Sequence, residues 1–164
     1  MRVNCGAVLI VAVGLAACAP PRETRFLNFD SETSARALGT GWSRWERDAA
    51  GDTFVWAMRS SATLTLDSAA DGDRVIRFRA WPFQWDGAPT QRAGVFLNGA
   101  KLTDLAMKEG ARVYAIDAPR TAWKRGANEL RFDFDWTSAP QEHSQTSDER
   151  TLAACFDWLD VIAK

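Results

Sequence analysis

The chain has 164 residues, with 20 basic against 21 acidic side chains and a formal charge of −1 at neutral pH. So small and evenly spread a charge excludes the basic surface that binding to nucleic acid or to anionic lipid headgroups requires. The length allows one domain with a sizeable hydrophobic core.

The first seventeen residues are predicted to be a signal peptide that the mature protein lacks. Arg2 gives a basic start, 7–14 form a short apolar run, and Leu15-Ala16-Ala17-Cys18 resembles the lipobox of bacterial lipoproteins. The apolar run is too short to cross a bilayer, since a membrane helix needs about 20 residues. The alternative is an ordinary secretory signal. The lipobox resemblance implies cleavage between Ala17 and Cys18 and a diacylated Cys18 that carries palmitate-type chains. Because Ala19 follows the cysteine, the resemblance favours the outer over the inner membrane.

This division predicts a lipidated tether over 18–25, which contains Pro20-Pro21, and a single domain over 26–164. Cys5 is lost with the signal peptide and Cys18 carries the lipid, so Cys155 has no partner within the domain. The fold therefore cannot depend on an intramolecular disulfide. A cysteine between Ala154 and Phe156 is typical of a small buried core side chain.

The domain reads as a series of short strands separated by turns. Alternation of apolar and polar residues with a period of two indicates half-buried strands, and Asn98-Gly99 predicts a type I′ hairpin turn. The polar segment 30–40 is expected to be a loop with at most one helical turn. The predicted strands cover 26–29, 62–66, 74–81, 93–97, 112–117, 129–136 and 152–162. This pattern predicts an all-β, antiparallel sandwich.

The order of short motifs along these strands resembles that of galactose-binding-like jelly-roll modules, in particular those appended to bacterial membrane glycosyltransferases and sulfatase-like proteins. The motifs are Gly41-Trp42, Glu46, Trp56, 62–66, 95–99, Tyr114, Pro119, 126–130 and 148–152. One departure is Val55, where such modules often have an arginine. The resemblance implies a jelly-roll β-sandwich, and such modules serve in glycan binding or scaffolding.

Eight tryptophans are many for a domain of this size. Aromatic rings stack on the C–H faces of sugars, while neighbouring polar side chains fix the hydroxyl groups. Trp81 is out of phase with the apolar positions of its strand, and Trp85 lies in a loop bounded by proline and glycine. These two are the best surface candidates, with Gln84, Asp86 or Arg92 as hydrogen-bonding partners.

Trp42 and Trp45 are weaker candidates for the same site. Arg44 and Glu46 flank Trp45, and they either bind a ligand or hold the loop as a structural pair. Asp148 and Arg150 are expected to form a structural pair that anchors the closing strand.

Other polar and aromatic positions are assigned structural roles. Trp56 and Trp136 are predicted to be core residues, Trp136 because it is in phase with Phe132 and Phe134. Asp157 is in phase with apolar positions and would be buried unless a β-bulge intervenes; a paired structural acid is the favoured interpretation.

Catalysis has little support in the sequence. His143 is the only histidine, so neither a Ser-His-Asp triad nor a histidine-based metal site can be built. A carboxylate pair could hydrolyse glycosides, but no spacing singles out two acids. Asp71-Gly72-Asp73 is too short a motif to assign a structural calcium ion, and no other cofactor is expected.

The sequence as a whole predicts a lipid-anchored, periplasm-facing lipoprotein of the outer membrane. Its predicted function is non-catalytic binding of an envelope glycan or polysaccharide. The alternative is a structural or accessory protein of envelope polysaccharide assembly that acts through protein partners. Exposed aromatic rings beside polar groups in a concavity favour the first function, and a flat apolar patch favours the second.

Overall fold

The computed structural model describes residues 26–29, 32–68 and 72–164. The predictions for 1–25, including lipidation of Cys18, lie outside the described residues, as does Asp71. Within these ranges no helix is long and apolar enough to cross a membrane. The strands are β1 (Phe26–Asn28), β2 (Glu46–Arg47), β3 (Thr53–Ala57), β4 (Ser61–Ser68), β5 (Arg74–Pro82), β6 (Arg92–Leu97), β7 (Ala100–Ala106), β8 (Arg112–Ala118), β9 (Gly126–Phe134) and β10 (Ala154–Ala163).

The strands form two antiparallel sheets packed face to face. The first sheet has the order β2-β3-β10-β5-β8, with β1 also paired to β10, and the second has the order β4-β9-β6-β7. The only helical segments of the described chain are one turn of α-helix, α1 (Glu32–Ala35), and two 3₁₀ turns at Arg120–Ala122 and Pro140–Glu142. This is a jelly-roll β-sandwich, which confirms the predicted fold class.

Strands β3, β4, β5, β6 and β9 bury every second side chain along most of their length, because successive side chains of a strand point to opposite faces of the sheet. Along β5 the alternation is unbroken from Arg74 to Pro82. The buried side chains of both sheets meet in one core, at whose centre three phenylalanine rings have centroids 5.0–5.5 Å apart. One of them, Phe156 of β10, contacts Phe78, Phe132 and Phe134.

Two local predictions about the backbone are confirmed. Asn98 and Gly99 have φ angles of 52° and 84°, as a type I′ turn between β6 and β7 requires. The register of β10 against β5 shifts between Phe156 and Trp158, so a β-bulge leaves Asp157 partly exposed, where it pairs with Arg79.

The prediction for Trp136 was wrong. Strand β9 ends at Phe134, and Trp136 follows in a loop with its ring partly exposed. The prediction for Trp56 was also wrong: its neighbours Val55 and Ala57 are fully buried, so Trp56 lies on the outer face of the first sheet. Alternation along a strand predicts a core side chain only where two conditions hold. The residue must lie within the strand, and the face of the strand that points into the core must be known.

Candidate functional site

Strand β10 lies at the middle of the first sheet, with β3 on one side and β5 on the other. Cys155 pairs with Trp56 of β3 and with Trp81 of β5. Residues directly opposite each other in antiparallel strands lie on the same face of the sheet. Because Ala154 and Phe156 point into the core, the row Trp56–Cys155–Trp81 lies on the outer face.

Further aromatic rings extend this row into a continuous series, which we call the aromatic band. It consists of Phe54, Trp56, Trp81, Phe83, Trp85, Trp136 and His143. Successive rings are in contact, with centroid distances of 6.0 Å for Phe54–Trp81, 6.2 Å for Trp56–Phe83 and 5.3 Å for Phe83–Trp85. Except for His143, whose ring is described below, every member is partly buried, so each ring keeps some surface open to solvent.

Trp85 is held in place by two neighbouring rings. The imidazole of His143 stacks on the indole at a centroid distance of 3.8 Å with an interplanar angle of 7°, and Trp136 packs edge-on at 5.0 Å. The loop that carries His143 is itself fixed, because Ser138 Oγ lies 2.7 Å from His143 Nε2 and donates to Glu142 Oε2. That hydrogen bond lowers the pKa of Glu142.

At the end of the aromatic band Trp85 borders an open, polar depression of about 460 Å³, which we call the Trp85 groove. Its other lining residues are Gln84, Asp86, Gly87, Ala88 and Glu109. Two carboxylates and one amide therefore lie beside a partly exposed indole. This arrangement can stack on an apolar face of a ligand and accept hydrogen bonds from its hydroxyl groups.

Ion pairs fix the polar border of the aromatic band. Arg150 bonds to Glu46 Oε1 at 2.5 Å and to Asp148 Oδ2 at 2.8 Å, which joins the closing loop to β2. These bonds raise the pKa of Arg150, through Asp148 first and then Glu46, and lower the pKa of Asp148. The predicted structural pair of Asp148 and Arg150 is confirmed.

Cys155 is completely buried beneath the aromatic band on the outer side of the sheet. Burial raises the pKa of its thiol, with a smaller contribution from the negative charge of Glu46. The thiol therefore stays protonated in the folded protein at pH values where an exposed cysteine ionises.

Replacing this side chain provides a first test of the layout. Cys155→Ala is expected to remain folded and to lose at most about 1–2 kcal/mol of stability, because it removes one small packed group. The wild-type thiol should be unreactive towards Ellman's reagent at pH 8 until the protein unfolds. Because only the unfolded thiol ionises above about pH 8.5, the free energy of unfolding should fall as the pH rises beyond that value in the wild type but not in Cys155→Ala. A native thiol that reacts freely contradicts this placement.

The structure brings together some of the residues that the sequence singled out. Trp81 and Trp85 belong to one aromatic band, and Gln84 and Asp86 line the groove beside Trp85. Glu46 borders the band through its pair with Arg150, whereas the structural alternative in the sequence analysis paired it with Arg44.

Other candidates lie elsewhere. Trp42 packs against Phe156 at 5.1 Å and donates from Nε1 to Thr63 O at 2.7 Å, so it fastens the loop before β2 to the core. Arg44 and Trp45 line a separate apolar cavity of about 280 Å³, and the Trp45 side chain is 50% exposed. Arg92 begins β6 with an exposed side chain on the outer face of the second sheet.

Several members of the site were missed by the sequence analysis. Phe54 and Trp56 alternate with buried Thr53, Val55 and Ala57, a pattern that predicts which rings share a face but not which face is buried. His143 was assigned to a polar loop, and no local signal in the sequence brings that loop back onto Trp85. No three His, Cys, Asp or Glu side chains in the described ranges are grouped closely enough to hold a metal ion.

The jelly-roll β-sandwich of this chain is similar in fold to solved carbohydrate-binding modules. No family model matches the chain, and no curated protein is similar to it in sequence. A family 35 carbohydrate-binding module from an environmental isolate has 17% identity and a TM-score of 0.53, covering 85% of this chain and 93% of the module. The family 35 module from Clostridium thermocellum has 13% identity and the same TM-score, covering 89% and 100%. A family 35 module from Cellvibrio japonicus also has 13% identity and a TM-score of 0.53, covering 84% and 93%. At these identities the similarity establishes a shared fold.

Proposed function

We propose that this domain binds carbohydrate without catalysing a reaction on it, through the Trp85 groove and the adjoining aromatic band. The observation that supports the proposal most directly is the contact of a partly exposed indole with a polar groove that holds Gln84, Asp86 and Glu109. The structural similarity to carbohydrate-binding modules supports the same function through the fold.

The chemistry of the groove suits a sugar ring. A pyranose has one face of C–H bonds, which packs on an indole, and a rim of hydroxyl groups, which donate to carboxylate and amide oxygens. The ring stacks and hydrogen bonds around Trp85 hold the indole in one orientation before a ligand arrives. Such preorganisation reduces the entropy that is lost on binding.

Isothermal titration calorimetry against a panel of soluble envelope polysaccharides and their oligosaccharides tests the proposal. The panel should contain neutral, aminated and carboxylated forms of the same backbones. Saturable binding to at least one of them is expected. A well-folded domain that binds none of the panel overturns the proposal.

We also propose that the domain works at the bacterial envelope, attached to the outer membrane through a lipid on Cys18. The support is the lipobox resemblance of Leu15 to Cys18. The chain enters β1 at Phe26, which pairs with Asp160, while the aromatic band crosses β10 at Cys155. At about 3.3 Å per residue these points lie roughly 17 Å apart along the strand, so the aromatic band is separated from the point at which the chain enters the domain.

Replacing Cys18 tests the anchor. Cys18→Ser should abolish incorporation of a clickable palmitate analogue, because the serine hydroxyl does not replace the thiol to which the diacylated lipid is attached. It should also move the protein from the membrane to the soluble fraction, whereas Cys155→Ala, the matched control, should keep both label and membrane attachment. Unchanged labelling of Cys18→Ser contradicts the proposal.

A second candidate function, binding of an envelope protein partner, has one observation in its favour. Phe26, Val113 and Ile162 are large apolar side chains that are 59%, 56% and 38% exposed on the first sheet. Phe26 also packs on Trp158, with ring centroids 6.2 Å apart. Apolar surface of this kind occurs at protein interfaces. The double variant Phe26→Ser, Val113→Ser tests this candidate. If it no longer binds an envelope protein that the wild-type domain binds, and still binds glycan, the result supports this function.

A further inference from the structure

The arginines beside the aromatic band are already committed to carboxylates. Arg79 Nη1 pairs with Asp157, and Asp52 Oδ2 lies 4.0 Å from the same nitrogen. The guanidinium also lies over the Trp81 ring, 5.7 Å from its centroid. With two acids and one ring around it, Arg79 has little capacity left for a negatively charged ligand.

Arg150 has the same kind of environment. Its guanidinium bonds to Glu46 on one side and to Asp148 on the other, with Nε–Oδ1 and Nη2–Oδ2 distances to Asp148 of 2.9 and 2.8 Å. Each of the two arginines is therefore held by a pair of acids, and each cluster carries an excess of one negative charge.

The Trp85 groove has the same sign of charge. Asp86 and Glu109 are its two charged lining residues, and among the described residues that line it there is no lysine or arginine. Arg44 and Arg92, which the sequence offered as ligand-binding cations, lie in a separate cavity and on the second sheet.

From these charges we infer that the site selects sugars by charge: it accepts neutral and amine-bearing glycans and rejects uronates. The inference rests on the proposed function and names the substrate class of the same groove. A uronate carboxylate placed on Trp85 would lie beside Asp86 and Glu109, with no lysine or arginine among the residues that line the groove to pair with it. Such like-charge contacts are a strong means of rejecting a ligand. A protonated sugar amine in the same position would form charge-assisted hydrogen bonds with both carboxylates. It would also make a cation–π interaction with the face of the indole.

The experiment compares oligosaccharides that differ only in charge. The probes are cellohexaose, the chitosan hexamer and the C6-carboxylated cellohexaose, together with galactohexaose and hexagalacturonate as a second backbone. For each backbone that binds, the dissociation constant of the carboxylated form is expected to be at least about tenfold higher than that of the neutral form. On the glucose backbone the chitosan hexamer, which carries amines, should bind most tightly. Raising the salt concentration should reduce both differences, because screening weakens the interaction between charges.

A pair of variants separates local charge from the charge of the whole protein. Asp86→Asn combined with Glu109→Gln should bring the ratio of carboxylated to neutral dissociation constants close to one. Glu129→Gln combined with Asp104→Asn makes the same change in net charge on the outer face of the second sheet and should leave the ratio as in the wild type.

The outcomes separate this inference from the function on which it rests. A carboxylated probe that binds as tightly as its neutral counterpart, or more tightly, overturns the charge selection and leaves carbohydrate binding in place. If the ratio of carboxylated to neutral dissociation constants falls equally in the Asp86→Asn, Glu109→Gln variant and in the control variant, selection by Asp86 and Glu109 is also overturned. Absence of binding to every probe and to the wider panel overturns the proposed function and this inference together.

Discussion

Phe156→Ala is expected to cause the largest loss of stability of any single ring truncation in this domain, about 3–5 kcal/mol. Phe156 is fully buried, and its ring contacts Trp42, Phe78, Phe132 and Phe134, which come from both sheets and from the loop before β2. Removing it leaves a cavity that these rings cannot fill, since they are fixed by their own strands. Urea unfolding followed by tryptophan fluorescence measures the change.

The neighbouring residue supplies a control for this prediction. Cys155 is equally buried but lies on the opposite side of β10, beneath the aromatic band. Cys155→Ala should cost much less than Phe156→Ala. If the two variants lose similar free energies of unfolding, the division of β10 into a core face and a band face is incorrect.

Trp85→Ala is expected to weaken glycan binding by about 1–3 kcal/mol, or roughly 5- to 150-fold in the dissociation constant. The indole is the one ring that belongs both to the aromatic band and to the wall of the polar groove. Its truncation removes the stacking surface and frees His143. The fold should remain, since Trp85 follows β5 in a loop and is only partly buried.

Trp45→Ala is the matched control, because Trp45 is an exposed tryptophan that lines the separate apolar cavity. It should bind glycan like the wild type. Thermal melting of both variants, measured by circular dichroism, distinguishes lost binding from lost structure. Unfolding of Trp85→Ala, or equal losses of binding in the two variants, contradicts the assignment of the groove.

Much of the fold could be predicted because it depends on local patterns. Alternation of apolar and polar residues predicted the strand from Arg74 to Trp81, and Asn98-Gly99 predicted the hairpin turn. Both features depend only on residues that are close together in the chain. Asp157 was predicted to be a paired structural acid, buried unless a bulge intervened, because burial of an unpaired carboxylate is costly; the structure has both the pair with Arg79 and the bulge.

The site was less accessible to sequence reasoning because it is assembled from segments far apart in the chain. Trp81 and Trp85 were found, since one is out of phase on its strand and the other lies in a turn. The side on which Phe54 and Trp56 lie depends on which face of the first sheet meets the second. The stack of His143 on Trp85 joins positions 58 residues apart, and only the folded loop brings them together.

The most direct test of the account is a titration of the ¹⁵N-labelled domain with the tightest-binding glycan of the panel, following the indole N–H signals of its tryptophans by NMR. The signals of Trp81 and Trp85 are expected to shift until the glycan site is saturated. The signals of Trp42 and Trp123 should not move, because their indole N–H groups are bonded to Thr63 O and Ala118 O inside the domain. Shifts confined to Trp45, or saturable binding that leaves Trp81 and Trp85 unchanged, would contradict it.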